Sequence, residues 1–124
     1  MERAEKRKKA YRWGHYAEFI AALWLMAKGY RIVTRRYGVR GGEIDLIIRK
    51  GATIAFVEVK ARRDFDQALE AIDGTKTRRL GKAAEEWLWR NDLPLGYSFR
   101  GDAVIVVPWR LPRHIEDAFE LPLD

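Results

Sequence analysis

Apolar residues recur every three or four positions in two stretches of this chain, the spacing of helices that bury one face. The first stretch covers residues 15–28 and is followed by Gly29, a residue that commonly ends helices. The second covers residues 75–91, with Asp73 or Thr75 available as a cap, and residues 65–72 are expected to form a short helical turn before it. The apolar positions are Phe19, Ala22, Leu23, Leu25 and Met26, then Leu80, Ala83, Ala84, Trp87 and Leu88.

Four other stretches are rich in β-branched and aromatic residues and predict strands. They cover residues 30–37, 43–49, 53–61 and 97–107. Glycines 38, 41 and 42 mark a loop after the first strand, and Pro108 ends the last one because proline has no amide donor. The trailing end of the chain is expected to be ancillary. This order of elements predicts an α/β protein with a mixed β-sheet that contains a central hairpin and is flanked by helices.

The tight break between the second and third strands sets their register. If Gly51 and Ala52 form a two-residue turn, Lys50 pairs with Thr53, and every further pair follows from that one. One side of the hairpin then carries the facing pairs Ile47 with Phe56, Asp45 with Glu58, and Glu43 with Lys60. The other side is apolar and opposes a one-residue slip; it consists of Ile44, Leu46, Ile48, Ala55, Val57 and Val59.

Two acids that face each other across a sheet repel, so a compensating charge is expected near Asp45 and Glu58. Mg²⁺ binds through one or two carboxylates and keeps several waters, which makes it a natural compensator. Lys60 projects beside such an ion and could orient a water or stabilise charge on a phosphate, and Val59 could offer its backbone carbonyl. The alternative is an ordinary half-exposed hairpin in which Lys60 neutralises one acid.

Glu18 lies one helical turn before Ala22, on or beside the buried stripe of the first helix. A carboxylate there is costly unless it is compensated. It either faces the metal site, or it lies at the edge of the stripe in water or beside an arginine. Three further polar residues are weaker candidates: His15 is typical of a cap or surface group, Glu43 can pair with Lys60, and Asp102 is expected near a strand end beside an arginine.

Charge favours a polyanionic partner. Lys and Arg number 24 against 18 Asp and Glu, which gives a net charge of +6, and the basic residues occur in clusters. The residues expected to contact nucleic acid phosphates are Arg40, Arg62, Arg63, Lys76, Arg78 and Arg79. The alternative is a solubilising surface. The chain contains no cysteine, which excludes disulfides, cysteine-bound metals and thiol catalysis.

The start of the chain predicts a basic flexible leader over residues 1–12 and a single domain over residues 13–124. The leader is not followed by the apolar segment and cleavage site of a signal peptide, and the uncharged run at residues 19–27 is too short to span a bilayer. No membrane partner and a cytoplasmic location are therefore expected.

The segments Gly42-Glu43-Ile44-Asp45-Leu46-Ile47 and Phe56-Val57-Glu58-Val59-Lys60-Ala61-Arg62 resemble the core of PD-(D/E)XK nucleases. The form is that of the YraN family, which is related to archaeal Holliday junction resolvases, and the resemblance extends over about residues 11–119, with Ile44 in place of the proline that names the superfamily. It implies a restriction-endonuclease-like fold, with Asp45 and Glu58 as metal ligands, Lys60 as the catalytic lysine and Glu18 as an additional carboxylate.

Two functions follow as expectations. The first is a DNA endonuclease, dependent on one or two Mg²⁺ or Mn²⁺ ions, that acts on branched or damaged DNA. The second is a catalytically inactive module, built on the same fold, that binds nucleic acid or a protein partner. A purely structural domain is a third reading. Five Trp residues leave aromatic surface for a homodimer, which would suit a junction substrate.

Overall fold

In the computed structural model of the chain, residues 2–72 and 74–121 are described, without the side chains of residues 10, 11 and 74–76. The elements in chain order are α1 (Glu2–Ala27), β1 (Arg31–Val39), β2 (Gly42–Lys50), β3 (Thr53–Ala61), α2 (Phe65–Glu70), α3 (Gly74–Arg90), β4 (Ser98–Val106) and β5 (Arg113–Phe119). The five strands form one sheet in the same order.

The strand directions make the sheet mixed. β3 and β4 run parallel, and the other neighbouring strands are antiparallel. A parallel pair needs a long crossover connection, which α2 and α3 supply between β3 and β4. The predicted α/β class and the mixed sheet flanked by helices are confirmed. The restriction-endonuclease-like assignment stays a prediction.

The two long helices cover opposite faces of the sheet. The α1 members of the first apolar core are Ala17, Ala21, Ala22 and Leu25. The α3 members of the second core are Leu80, Ala83, Ala84 and Trp87. Neighbouring β3 residues alternate between these cores, with Ala55 and Val57 under α1 and Ile54 and Phe56 under α3. The core therefore has two layers separated by the sheet.

The buried face of α1 differs from the predicted one. Phe19, Leu23 and Met26 are about half exposed, whereas the predicted Ala22 and Leu25 are buried together with two further alanines, Ala17 and Ala21. Small residues let a helix lie close to the sheet, so the larger side chains are left on its outer side. In α3, by contrast, the predicted apolar positions all pack in or against the core.

The β2–β3 hairpin has the predicted register near its turn. Pairing extends from Lys50 with Thr53 to Leu46 with Val57. It stops there: the predicted pairs Asp45 with Glu58 and Glu43 with Lys60 are not part of the hydrogen-bonded register of these described strands. The prediction of directly facing acids is therefore wrong, because the strands diverge before reaching them.

The side-chain alternation of β2 breaks at the same place. Ile44 packs with Ile47 in the core under α3, whereas Leu46 and Ile48 pack under α1. The prediction that Ile44 shares a face with Leu46 and Ile48 is therefore wrong. Across from the break, Arg36 of β1 has a φ of 52°. Left-handed backbone of this kind is uncommon for a residue with a Cβ, and the register shift of β1 lies elsewhere, between Ile32 and Thr34.

The first helix begins much earlier than predicted. α1 starts at Glu2 rather than near residue 15, so residues 2–12 form its first turns, and their described side chains are exposed. Ala, Glu, Lys and Arg are strong helix formers, which allows a helix with no buried face of its own. Flexibility of this leader stays a prediction. The candidate caps of the second predicted helix, Asp73 and the side chain of Thr75, lie outside the described residues.

The segment Arg113–Phe119 is part of the sheet rather than ancillary. β5 pairs antiparallel with β4 and forms an edge of the sheet, and Phe119 packs against the core under α3. The residues of β5 do not alternate between buried and exposed, so this segment lacks the usual pattern of a strand.

The segment 65–72, predicted as a helical turn, contains α2 with Asp64 as its N-cap. Of the helices in the described ranges, none has the length and apolar character to cross a bilayer.

Candidate functional site

A surface pocket opens where β2 and β3 diverge, between α1 on one side and α3 on the other. The residues from α1, β2 and β3 that carry polar or charged side chains into its lining are Glu18, Glu43, Asp45, Glu58 and Lys60. Val59 also lines it, and Arg62 and Arg79 complete it. The four residues predicted to act together, Glu18, Asp45, Glu58 and Lys60, are thus brought into one pocket.

Asp45 is held by the backbone of the neighbouring strand. Its Oδ2 accepts a hydrogen bond of 2.7 Å from the N–H of Val59. Backbone pairing of β2 and β3 ends at Leu46 with Val57, and Val59 lies just beyond that pair. The Asp45 side chain therefore provides the hydrogen-bond acceptor that the Val59 amide requires. Val59 was predicted to offer its carbonyl to a metal; the contact seen here uses its N–H, and its side chain packs against the core under α1.

The surroundings of Asp45 make its ionisation unfavourable. Burial, followed by repulsion from Glu58 and a smaller one from Glu18, raises the pKa of Asp45 from 3.8 to about 7, although the Val59 amide and Lys60 oppose the change. A cation in the pocket would reverse this effect. An acid with a strongly raised pKa among other acids is typical of functional sites.

Glu58 and Lys60 form a nearly buried ion pair. Lys60 Nζ lies 2.9 Å from Glu58 Oε1, with side-chain exposures of 9% and 13%. Neutralisation of one acid is the alternative role predicted for Lys60 from the sequence, and this ion pair has that form. Two charges in such a place depend on each other, because removal of either leaves the other without a partner.

Glu18 combines the two positions predicted for it. It lines the pocket, and its Oε2 accepts a hydrogen bond of 2.9 Å from Arg36 Nε. Burial raises the pKa of Glu18, with further upward contributions from Glu43 and Glu58, while Arg35 opposes them. The carboxylate therefore belongs to the acidic group of the pocket and also has an arginine partner.

Arg36 was not recognised from the sequence as a site residue. Its left-handed backbone costs about 1–2 kcal/mol for a residue with a Cβ, and its guanidinium reaches Glu18 from β1. The only sequence signal was its place in the Arg35-Arg36 pair within a strand. Neither the backbone conformation nor the partner follows from that signal.

Glu43 lies at the rim of the pocket. Its side chain is 68% exposed and its Oε1 is 3.9 Å from Arg79 Nη2. The expected pairing of Glu43 with Lys60 is wrong, because Lys60 is paired with Glu58. Gly42 allows α3 to pack close to β2, because a Cβ at this position would collide with the carbonyl oxygen of Arg79. This close packing places Arg79 beside Glu43 at the rim of the pocket.

The five predicted phosphate-binding residues whose side chains are described are scattered over the surface. Arg62 and Arg79 line the pocket and are exposed. Arg63 belongs to a separate groove beside α2 and the β4–β5 connection. Arg40 and Arg78 are exposed outside the pocket lining, and the side chain of Lys76 lies outside the described residues. Of the five with described side chains, Arg62 and Arg79 are therefore in position to contact a molecule bound in the pocket.

The carboxylate oxygens in the pocket are of the chemical type that binds a hard divalent cation. Asp45 and Glu58 offer two carboxylates, and Mg²⁺ requires no more from a protein when waters and substrate oxygens complete its shell. Within residues 2–72 and 74–121, no group of three His, Cys, Asp or Glu side chains is arranged to hold a metal ion. The carboxylates of Glu58, Glu18 and Asp45 instead have protein partners, which are Lys60, Arg36 and the Val59 amide respectively.

Asp102 lies outside this pocket in a buried network of its own. It is fully buried in the middle of β4 rather than near a strand end, and Arg100 donates two hydrogen bonds to it, as predicted for an arginine partner. His114 Nε2 and the Asp117 N–H lie 2.7 and 3.0 Å from its oxygens. Burial alone would raise the pKa of Asp102, but these hydrogen bonds outweigh it and lower the pKa.

The raised pKa of Asp45 predicts a pH effect on stability. In the folded protein Asp45 keeps its proton up to a pH of about 7, whereas the unfolded chain releases it near 3.8. The folded state therefore binds more protons between these values, and stability falls as the pH rises through them. Asp45→Asn is neutral and keeps the oxygen that accepts from Val59, so it should be more stable than the wild type at pH ~8 and nearly equal to it at pH ~4.

Urea unfolding in EDTA at several pH values measures this difference. Asp92→Asn, at an exposed position after α3, is the matched control and should show no such trend. A stability difference between Asp45→Asn and the wild type that is the same at all pH values would contradict the interpretation.

The fold and the pocket define a class of small α/β protein with a five-stranded mixed sheet and a cleft lined by acids and a lysine. The chain belongs to the uncharacterised protein family UPF0102, whose model matches residues 17–106. This is the YraN family predicted from the sequence, and that prediction is confirmed. The matched stretch includes all four residues of the predicted catalytic set.

Three curated relatives illustrate the extent of the similarity, and all are UPF0102 proteins. One from Methylobacterium radiotolerans is 50% identical over 95% of this chain and 92% of its own. One from Sinorhizobium medicae is 55% identical over 90% of this chain and 91% of its own. One from Mesorhizobium japonicum is 53% identical over 91% of this chain and 90% of its own.

Proposed function

We propose that this protein is a metal-dependent DNA endonuclease with a restriction-endonuclease-like fold. The observation that carries the proposal is the pocket itself, in which Asp45, Glu58 and Lys60 meet at the diverging end of a hairpin and Glu18 joins them from α1. The resemblance of these strands to the PD-(D/E)XK core supports the same assignment. Branched or damaged DNA is the proposed substrate.

The carboxylates would hold one or two Mg²⁺ or Mn²⁺ ions. Asp45 and Glu58 are the proposed principal ligands, with Glu18 and the Val59 carbonyl as further ones. Such an ion polarises the scissile phosphate and lowers the pKa of a bound water. Hard carboxylate oxygens suit both metals.

Lys60 is the proposed catalytic lysine. Its ammonium is nearly buried and 2.9 Å from Glu58, so its position is fixed by an ion pair. A positioned ammonium can orient a water by donating to it, and it can stabilise negative charge that develops on the phosphate. Burial strengthens both interactions because little water screens them.

Arginines at the rim would position the DNA backbone. Arg62 and Arg79 flank the acids and are exposed to solvent. Contacts to phosphates fix the register of a nucleic acid without reading its sequence and weaken as salt increases. Arg40, Arg63, Lys76 and Arg78 are proposed to extend this surface. The homodimer and the cytoplasmic location stay predictions.

One observation favours a second candidate, a catalytically inactive module that binds nucleic acid or a protein partner. The acids of the pocket already have partners: Glu58 contacts Lys60, Glu18 contacts Arg36, and Asp45 contacts the Val59 amide. A site whose charges are balanced in this way can be stable without a metal. Binding to DNA is common to both candidates, so cleavage distinguishes them.

The test is a cleavage assay with purified protein. Supercoiled, linear, single-stranded and four-way-junction DNA are incubated with Mg²⁺ or Mn²⁺, and parallel reactions contain EDTA. The proposal predicts products with either metal, most rapidly from a branched substrate, and none in EDTA. Salt-sensitive binding without any cleavage would support the inactive module instead.

A further inference from the structure

The helix that delivers Glu18 also carries two aromatic rings at the pocket. Trp13 lines the pocket together with Glu18, and the rings of Trp13 and Tyr16 are stacked, with centroids 6.4 Å apart and an interplanar angle of 23°. Tyr16 is 60% exposed. The two rings are therefore near-parallel neighbours, one of which lines the pocket while the other is largely exposed on α1.

The same helix carries a basic arm immediately before these rings. The described side chains of residues 2–12 are exposed, and their charged members are Glu2, Arg3, Glu5, Lys6, Arg7, Lys8, Lys9 and Arg12. At 1.5 Å per residue this arm extends for about 16 Å. Along α1, cations, stacked rings and an acid of the pocket therefore follow one another in that order.

We infer that Trp13 and Tyr16 form a stacking platform for an unpaired base next to the phosphate bound in the pocket. This inference rests on the proposed function and gives its substrate class as a nucleic acid with an unpaired nucleotide at the reacting position. Every base has an aromatic face, so such a platform binds without reading sequence. In an intact duplex the bases are stacked on each other and their faces are not available to a protein ring.

The arrangement gives each part of α1 a separate task. The arm contacts the backbone leading to the pocket, the rings take the unpaired base, and Glu18 reaches the acidic centre. The partly buried Trp13 fixes the position of the platform, since it packs against the core under α1. Tyr16 provides the exposed ring surface and can be changed without opening the core.

The test measures equilibrium binding in EDTA, where no cleavage interferes. The probes are fluorescent oligo(dT), oligo(rU) and a DNA duplex of equal length. Tyr16→Ala should weaken oligo(dT) binding about 5- to 150-fold, the range for loss of one base–aromatic stack. Duplex binding should change less than twofold, and Tyr16→Phe should bind as the wild type. The slope of affinity against salt should not change, because the variant removes no charge.

Phe19→Ala is the matched control. Phe19 is an aromatic residue on the same exposed side of α1, 49% exposed, but it does not line the pocket. Its loss should leave oligo(dT) binding unaltered. Equal losses for Tyr16→Ala and Phe19→Ala, or equal losses on single strand and duplex, would overturn the platform. Stronger binding of oligo(rU), with the same dependence on Tyr16, would support the platform and assign RNA as its ligand.

The two proposals fail in different ways. Tyr16-dependent binding of single strands with no cleavage of any substrate would retain the platform and reject the nuclease. Metal-dependent cleavage of intact duplex that Tyr16→Ala does not slow, together with unchanged single-strand binding, would retain the nuclease and reject the platform.

Discussion

Replacement of Lys60 by methionine is expected to lower metal-dependent cleavage about 100- to 10,000-fold, the range for a positioned acid–base group. Methionine fills a similar volume but has no ammonium, so the water and the developing phosphate charge lose their donor. DNA binding should change little, since Lys60 is 9% exposed while the rim arginines are open to solvent. Single-turnover cleavage rates with saturating Mg²⁺ measure the effect.

Lys82→Met is the control for this variant. Lys82 is an exposed lysine on α3, and its loss removes one charge without touching the pocket lining. It should retain nearly the full cleavage rate. A Lys60→Met protein that is folded and cleaves at the rate of Lys82→Met would show that the ammonium has no role in the reaction.

Asp102→Ala is expected to destabilise the protein by about 3–5 kcal/mol, the loss typical of breaking a buried charged network. Asp102 is fully buried and joins Arg100 of its own strand to His114 and the Asp117 amide of β5. Its removal leaves these donors without their acceptor and loosens the edge strand. A loss of this size is a large part of the 5–15 kcal/mol that keeps an ordinary domain folded.

The chain offers a matched comparison on the same arginine. Glu116 Oε2 is 3.6 Å from Arg100 Nη1, but its side chain is 53% exposed. Glu116→Ala should therefore cost about 1 kcal/mol or less. Urea unfolding of both variants gives the comparison, and similar small losses for the two would contradict the role assigned to Asp102.

The His114 ring extends this network to α1's end. Lys28 Nζ lies 2.6 Å from His114 Nδ1, while Nε2 contacts Asp102. An ammonium only donates and a carboxylate only accepts, so a neutral imidazole, with an acceptor nitrogen and a donor N–H, suits both partners. The network thus ties the β4–β5 edge to the residue that follows α1.

Local sequence was sufficient to predict the hairpin near its turn. Gly51 and Ala52 determine the turn, and the apolar residues beyond them allow one register, which is observed from Lys50 with Thr53 to Leu46 with Val57. The divergence beyond Leu46 was not predictable in this way. It involves a third strand, in which Arg36 has left-handed backbone that its sequence does not signal.

The same contrast explains which site residues were found. Asp45, Glu58 and Lys60 lie on two adjacent strands joined by a tight turn, so a short motif is sufficient to place them near one another. Arg36 reaches Glu18, and Trp13 reaches the pocket, through the placement of β1 and α1. That placement depends on tertiary packing, about which local periodicity carries no information.

Elements with weak hydrophobic patterns were the ones missed. Residues 2–12 have no apolar repeat, yet they belong to α1, and their described side chains are exposed. β5 is largely polar and owes its place to pairing with β4 and to the Asp102 network. The structure of residues 2–12 and of β5 depends on the adjoining parts of the fold. The sequence pattern of either segment alone does not reveal this dependence.

The most direct measurement is the cleavage rate of wild-type protein and Asp45→Asn, prepared side by side, on a four-way junction with Mg²⁺. Asparagine preserves the shape of Asp45 and removes only its charge. If the pocket hydrolyses phosphodiester bonds, the wild type cleaves the junction, EDTA stops it, and the variant is inactive although folded. Equal cleavage by the two proteins, or none by the wild type on any DNA tested, would refute the assignment of a nuclease to this pocket.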